Sequence, residues 1–173
     1  MKVIKNLLFI SVAFILQASL MPVFEYNNVV PNFILVLVIL IGMNFNKYTA
    51  AVNGAVFGLL IDIFFSPALG VNTLVLGAVG FICGSASEYL VTDNLLSLIL
   101  YMIAGTILYN LFSSIVIRVF IDTISIRYIF SKIFSMEIIV NIAMAIMVFL
   151  LKGRTFIYSF INEIEGNDEY DEA

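Results

Sequence analysis

Six apolar stretches, separated by short polar segments, follow one another along this chain of 173 residues. Their approximate limits are 6–24, 30–45, 48–65, 71–88, 94–120 and 136–158. None of them alternates strictly between apolar and polar residues, so the pattern favours helices over strands. About 20 apolar residues in a helix cross a bilayer with every backbone group bonded internally. The pattern therefore predicts an all-α integral membrane protein, a bundle of about six transmembrane helices.

Local signals mark the ends of several stretches. Pro31 suits the first turn of the second stretch, which is short and polar at both ends, so we expect a tilted or partly shielded helix there. Pro67 and Gly70 end the third stretch in a tight turn. The first stretch follows Lys2 and Lys5 as a signal peptide would, but no clean cleavage site follows it. We therefore expect a retained helix.

Two segments do not fit the pattern of apolar stretches. Residues 121–135 place apolar residues at helical spacing among polar ones, which fits either a helix lying in the membrane interface or an ordinary loop. Residues 162–173 hold six of the twelve acidic residues. We expect this end to be a solvated, disordered tail, which leaves 1–161 as one polytopic transmembrane domain.

Composition agrees with lipid as the solvent for most of the chain. Hydrophobic residues make up 62% of the sequence and charged residues 12%, against about 25% charged residues in a soluble domain. The absence of His and the single Cys83 exclude histidine-based catalysis and a Cys/His zinc site. No catalytic motif is present, so we expect no enzyme activity, cofactor or metal. The chain contains no cluster of basic residues of the kind that binds nucleic acids.

The basic residues indicate an orientation in the membrane. With both termini in the cytoplasm, the inner side holds five of them and the outer side three, in agreement with the positive-inside rule. The inner residues are Lys2, Lys5, Lys47, Lys152 and Arg154. The outer residues are Arg118, Arg127 and Lys132.

Small and charged residues share one face of the third stretch. Gly54, Gly58 and Asp62 recur at intervals of four, and small residues let another helix approach closely. Asp62 therefore has three possible roles: a hydrogen bond to a neighbouring helix or loop, a partner contact, or ion or substrate binding. Gly80 and Gly84 form a similar pair in the fourth stretch. Both stripes are candidates for helix packing or for a partner interface.

Polar residues of several stretches fall at one membrane level. Arg118 and Asn141 should reach the outer level of Asp62, and Asn72 and Gln17 could join them. This arrangement predicts an outer-leaflet polar cluster of Asp62, Asn72, Arg118 and Asn141, with Asp62 and Arg118 as its charge pair. The alternative is that Arg118 extends to the surface or pairs with Asp122.

Three segments carry a family resemblance. They read Pro31-Asn32-Phe33-Ile34-Leu35, then Gly54-x-x-x-Gly58-Leu59-Leu60-x-Asp62-Ile63, then Pro67-x-Leu69-Gly70-x-Asn72-x-Leu74. With Tyr109, Asn110 and Asn141, they resemble the rod shape-determining protein family MreD over most of the chain. Two features depart from that family: Asn32 stands where an Asp is usual, and the turn at 85–93 is acidic where it is often basic.

The resemblance implies a function in cell-wall elongation. Proteins of this family sit in the inner membrane with MreC and connect to the cytoskeletal MreB, in an assembly that includes RodA and a penicillin-binding transpeptidase. Their fold is similar to the substrate-binding components of energy-coupling factor transporters. The resemblance therefore implies a non-enzymatic scaffold or regulator that maintains rod shape. The alternative is a substrate-binding or transport component, which would need a pocket with convergent polar groups.

Overall fold

The computed structural model describes residues 12–19, 31–66, 68–89, 94–120 and 136–150. These ranges form six helices and no strand. The helices are α1 (12–19), α2 (Phe33–Asn44), α3 (Lys47–Phe65), α4 (Val71–Ser87), α5 (Leu95–Phe120) and α6 (Glu137–Leu150). Each helix falls on one of the six apolar stretches, of which the structure describes only part for the first and the last. The segments 121–135 and 162–173, and with them Asp122, lie outside the described residues.

Two of these helices are long and apolar enough to cross a membrane by themselves. They are Lys47–Phe65 and Leu95–Val119. The helices α2, α4 and α6, as far as the structure describes them, are shorter and also apolar. The expectation of a helical protein thus agrees with the structure, whereas a spanning length is found for α3 and α5.

The short helix α2 occupies the centre of the bundle. Its 12 residues extend about 18 Å, against a hydrocarbon layer of about 30 Å. Ten of the 12 are buried, and residues of α3, α4, α5 and α6 surround the helix. A helix that is apolar on all sides is stable when protein covers all sides. The expectation of a shielded second helix agrees with this position.

The helices α3 and α4 form a closely packed antiparallel hairpin. Gly54 and Gly58 of α3, and Gly80 and Gly84 of α4, are all buried between the two helices. A Cβ atom at any of these four positions would overlap the backbone of the other helix. Gly54 faces Leu76 and Gly58 faces Asn72. Gly80 faces Ala50 and Gly84 faces Lys47. The glycines of α3 therefore pack against α4, and the glycines of α4 pack against α3, within the same chain.

The end of the hairpin where α3 begins and α4 ends carries charged and aromatic side chains. The Lys47 ammonium lies 3.2 Å from the Glu88 carboxylate, and both side chains are partly exposed. Tyr48 and Tyr89 are exposed beside them. Tyrosines and lysines are typical of the membrane–water boundary. At the opposite end, Phe14 of α1 contacts the rings of Phe64 and Phe65.

Candidate functional site

Asp62, near the end of α3, binds the beginning of α4. Its Oδ2 accepts hydrogen bonds from the Gly70 N–H (3.0 Å), the Thr73 N–H (2.9 Å) and the Thr73 hydroxyl (2.8 Å). Its Oδ1 accepts from the Asn72 N–H (3.0 Å) and the Asn72 side-chain amide (2.9 Å). The residue is 1% exposed. A single carboxylate therefore caps α4 from the preceding helix.

The local sequence explains why the carboxylate lies there. The first N–H groups of a helix have no acceptor within it and carry partial positive charge. Gly70 immediately precedes α4 and has a φ of +97°, a conformation in which glycine has no steric penalty. This turn returns the chain so that the first N–H groups of α4 face Asp62. The oriented N–H groups stabilise the buried negative charge.

The beginning of α2 is capped in a related way by side chains from two other helices. The Phe33 N–H donates to Gln17 of α1 (2.7 Å), whose side-chain amide donates to the Pro31 carbonyl (3.1 Å). The Asn32 N–H donates to Asn141 of α6 (3.1 Å). Asn32 itself accepts from the Leu35 N–H (2.9 Å). The N–H groups that open α2 therefore also find side-chain acceptors.

Tyr109 of α5 connects the two capped helix ends. Its hydroxyl donates to the Asn72 side-chain oxygen (3.0 Å), and the Asn32 side chain lies beside this hydroxyl. The Asn141 side-chain amide donates to Thr106 on the same helix (3.4 Å). We call the connected side chains the polar network. Its members are Gln17, Asn32, Asp62, Asn72, Thr73, Thr106, Tyr109 and Asn141.

The structure brings together three of the four residues in the expected outer cluster and leaves out the fourth. Asp62 and Asn72 bond directly. Asn141 accepts from the Asn32 N–H, and Asn32 lies beside Tyr109, which bonds to Asn72. Arg118 is exposed, and no ion pair links it to Asp62. The Asp62–Arg118 charge pair does not form because donors of α4 already surround the carboxylate.

Several members of the network did not stand out in the sequence. Thr73 and Thr106 are ordinary polar residues whose partners lie on other helices, and Asn32 and Tyr109 were noted only through the family resemblance. A usable signal was the spacing of Asp62 and Thr73 across the short turn, since a turn of this length returns the next helix beside the end of the first. Of the three roles considered for Asp62, its hydrogen bonds match the structural one.

The hydrogen bonds of the polar network connect helices to one another. Its hydrogen bonds run between groups of the protein itself, and Gln17, Asp62, Thr106 and Asn141 are at most 3% exposed. Two cavities between α4 and α5, of about 390 and 280 Å³, have largely apolar walls that contain no network residue. Among the described residues, no group of three His, Cys, Asp or Glu could hold a metal ion.

Comparison with known families assigns the chain to one of them. The family model of the rod shape-determining protein MreD matches residues 2–154, a range that contains the whole polar network. The chain belongs to the MreD family. The resemblance noted in the sequence is therefore confirmed, and membership in MreD implies a role in determining rod shape. Searches of curated proteins and of solved structures found no match.

Proposed function

We propose that this MreD protein is a non-enzymatic scaffold or regulator of the cell-wall elongation machinery. It would act with an MreC-like protein and with RodA and a penicillin-binding transpeptidase, and indirectly with MreB. We further propose that it spans the inner membrane several times with both termini in the cytoplasm. The observation that carries the proposal is the family match over residues 2–154.

The character of the described surface supports a scaffold. The exterior of the described helices exposes many large apolar side chains. Along α3, for example, Val52, Val56, Leu59 and Ile63 are all exposed on one face. Recognition between membrane helices depends on close packing of such faces. Because the four glycines are buried between α3 and α4, a partner would contact exposed helix faces instead.

The alternative of a substrate-binding or transport component has less support. Such a site needs polar groups that converge on a cavity, whereas the cavities between α4 and α5 are apolar. The proposed kinship with substrate-binding components of energy-coupling factor transporters rests on the family resemblance. A shared fold of that kind would not make this chain a transporter.

A gentle-detergent purification of the tagged, full-length protein tests the proposal. We expect an MreC-like protein and wall-synthesis proteins to copurify, and depletion of the protein to convert rods to round cells. Trp substitutions at the exposed positions Val52 of α3 and Ile139 of α6 probe the contact faces, with Leu at the same positions as the matched control. A Trp on the contact face should reduce partner recovery about tenfold, equivalent to about 1.4 kcal/mol.

The composition of the purified material decides between the two functions. Recovery of a stoichiometric small molecule and a transporter ATPase module, without any wall-synthesis protein, would replace the scaffold by the transport component. Each variant must accumulate in the membrane to the level of the unaltered protein, so that lost recovery reports lost contact and not lost protein.

A further inference from the structure

Asn53 of α3 is a polar residue at membrane depth. The 19-residue span Lys47–Phe65 extends about 28 Å, close to the thickness of the hydrocarbon layer, which is about 30 Å. Asn53 follows the beginning of this span by about 9 Å along the helix axis. A polar group at such a depth is costly unless it is hydrogen-bonded. The hydrogen bonds of Asn53 therefore indicate whether its side chain needs a partner outside the chain.

The side-chain amide of Asn53 is only partly satisfied within the protein. Its Nδ2 donates to the Thr49 carbonyl, one turn earlier in the same helix (2.9 Å). In the described part of the chain, this is the one hydrogen bond that the side chain forms. An asparagine amide has two donor hydrogens and an acceptor oxygen. One hydrogen and the oxygen therefore remain available on a side chain that is partly exposed.

Asn53 belongs to a stripe of residues on the outside of α3. Successive members of the stripe are separated alternately by four and three residues, which is the a and d spacing of helices that pair side by side. We call this stripe the α3 seam, and its members are Thr49, Asn53, Val56, Leu60 and Ile63. Val56 and Ile63 are exposed, and the other three are partly exposed. The seam lies on the side of α3 opposite the glycines that pack against α4, so a further helix can reach it.

The available groups of Asn53 match those of a second copy of this chain. Each copy presents one amide hydrogen and one amide oxygen, so two reciprocal hydrogen bonds use both groups of both side chains. Copies of a membrane protein share one orientation, and a twofold axis along the membrane normal places the two Asn53 side chains at the same depth. A serine or threonine of another protein offers a single hydrogen for these two groups. The chemistry and the depth therefore both favour self-association.

We propose that the α3 seam is the interface of a homodimer in the membrane, in which the two Asn53 side chains form reciprocal hydrogen bonds. A single asparagine at an a position sets the register and the oligomeric state of paired helices. Val56 and Ile63 pack on their counterparts along the same seam and supply the apolar part of the contact. The dimer goes beyond the scaffold role proposed above and does not depend on it.

Disulfide formation in cell membranes maps the interface. In a Cys83→Ala background of the full-length protein, one variant carries Ile63→Cys in the α3 seam and another carries Ile139→Cys on α6. The two positions are matched, because both isoleucines lie beside members of the polar network and are 56% and 62% exposed. We expect a mild oxidant to convert most of the Ile63→Cys protein into a covalent dimer. The Ile139→Cys protein should remain monomeric.

Fluorescence energy transfer between labelled copies in lipid vesicles measures the strength of the association. The vesicles contain the purified protein alone, so the result does not depend on any wall-synthesis protein. Asn53→Leu should weaken dimerisation about 3- to 30-fold, the effect of interhelical hydrogen bonds in a bilayer. Leucine is stable in contact with lipid, so the monomer of this variant should keep its Tm. Asn53→Gln keeps the amide and should retain most of the dimerisation.

A bulky side chain in the α3 seam provides a test that leaves Asn53 unaltered. Val56→Trp places a large ring where the two copies meet and should weaken dimerisation about tenfold or more, because the helices must move apart. Ile139→Trp adds the same ring to an exposed position of α6 and should leave dimerisation unchanged.

Three results would overturn the proposal. The first is equal disulfide formation at positions 63 and 139, which indicates random collisions in the membrane. The second is an Asn53→Leu protein that dimerises as tightly as the unaltered protein. The third is a photoreactive amino acid at position 56 that forms adducts in cells with a different protein and none with a second copy. The α3 seam would then bind that other protein.

Discussion

Asp62 accepts five hydrogen bonds from the beginning of α4 and is almost completely buried. A carboxylate alone in a membrane helix carries a large desolvation cost. Here the oriented N–H groups of a helix end, together with two side-chain donors from Asn72 and Thr73, surround both oxygens. No cation is needed, which explains why Arg118 can remain at the surface.

At the scale of this residue, we predict that Asp62→Asn destabilises the protein. An amide offers one oxygen, and its NH₂ group would face donors of α4. At least two of the five donors would lose their acceptor, at about 1–3 kcal/mol each for a buried group. Thermal unfolding of the detergent-purified protein should show a clearly lower Tm. The control is Glu88→Gln, which removes a partly exposed carboxylate from an ion pair that solvent screens and that therefore contributes little to stability. Equal effects of the two substitutions would contradict the capping role.

At the scale of the helix, the hairpin of α3 and α4 depends on which glycines face the other backbone. A Cβ at Gly58 would overlap backbone atoms of Asn72 and Thr73. A Cβ at Gly77 would meet its nearest neighbour, the Ala51 carbonyl oxygen, at 3.5 Å, an ordinary contact distance. The two glycines belong to the same helix pair, yet only Gly58 is required for its close approach.

We therefore predict opposite effects for alanine at these two glycines. Gly58→Ala should lower stability by about 1–3 kcal/mol, because α3 and α4 must move apart. Gly77→Ala should leave stability unchanged or raise it by up to about 1 kcal/mol, since alanine favours the helix. Thermal unfolding and the amount of protein in the membrane measure both effects. A Gly58→Ala protein as stable as the Gly77→Ala protein would disprove the close approach of the two backbones.

At the scale of the whole molecule, the two ends of the bundle differ in chemistry. The helices α2 and α4 both begin at one end of the bundle. At that end lie the residues of the polar network, which come from all six helices. At the other end, Lys47 and Glu88 form an ion pair beside Tyr48 and Tyr89. The excess of basic residues on the proposed inner side would orient this charged end toward the cytoplasm.

Cysteine labelling tests that orientation. In a Cys83→Ala background, we place single cysteines at Leu69, 73% exposed in the turn before α4, and at Tyr89, 86% exposed after α4. A membrane-impermeant maleimide added to spheroplasts should label Leu69→Cys at once and Tyr89→Cys only after permeabilisation. The unaltered protein, with its single Cys83 buried, should remain unlabelled. The reverse order of labelling would mean the opposite orientation.

The sequence by itself determined the class of protein and the positions of its helices. Long apolar runs are stable as helices in lipid because a helix bonds its own backbone groups, and this holds whatever the neighbours are. Pro67 and Gly70 act within a few residues of themselves, so they correctly marked the end of α3 and the turn before α4. Pro31 was expected in the first turn of α2, but it precedes the cap residue Asn32 and lies outside that turn. The family resemblance was also visible in the sequence of the segment 54–72, because it depends on the spacing of the glycines, Asp62 and Asn72.

Only the tertiary structure decided which side chains meet. Asp62 could face a cation, a ligand or a helix end, and its spacing along α3 is the same in each case. The arrangement of α3 and α4 places helix N–H groups beside it, so those groups bind it and Arg118 does not. In the same way, α2 lies at the centre because four other helices cover it, and Tyr109 joins two helix ends distant in sequence. Such contacts depend on how the helices are arranged in space, which local periodicity does not encode.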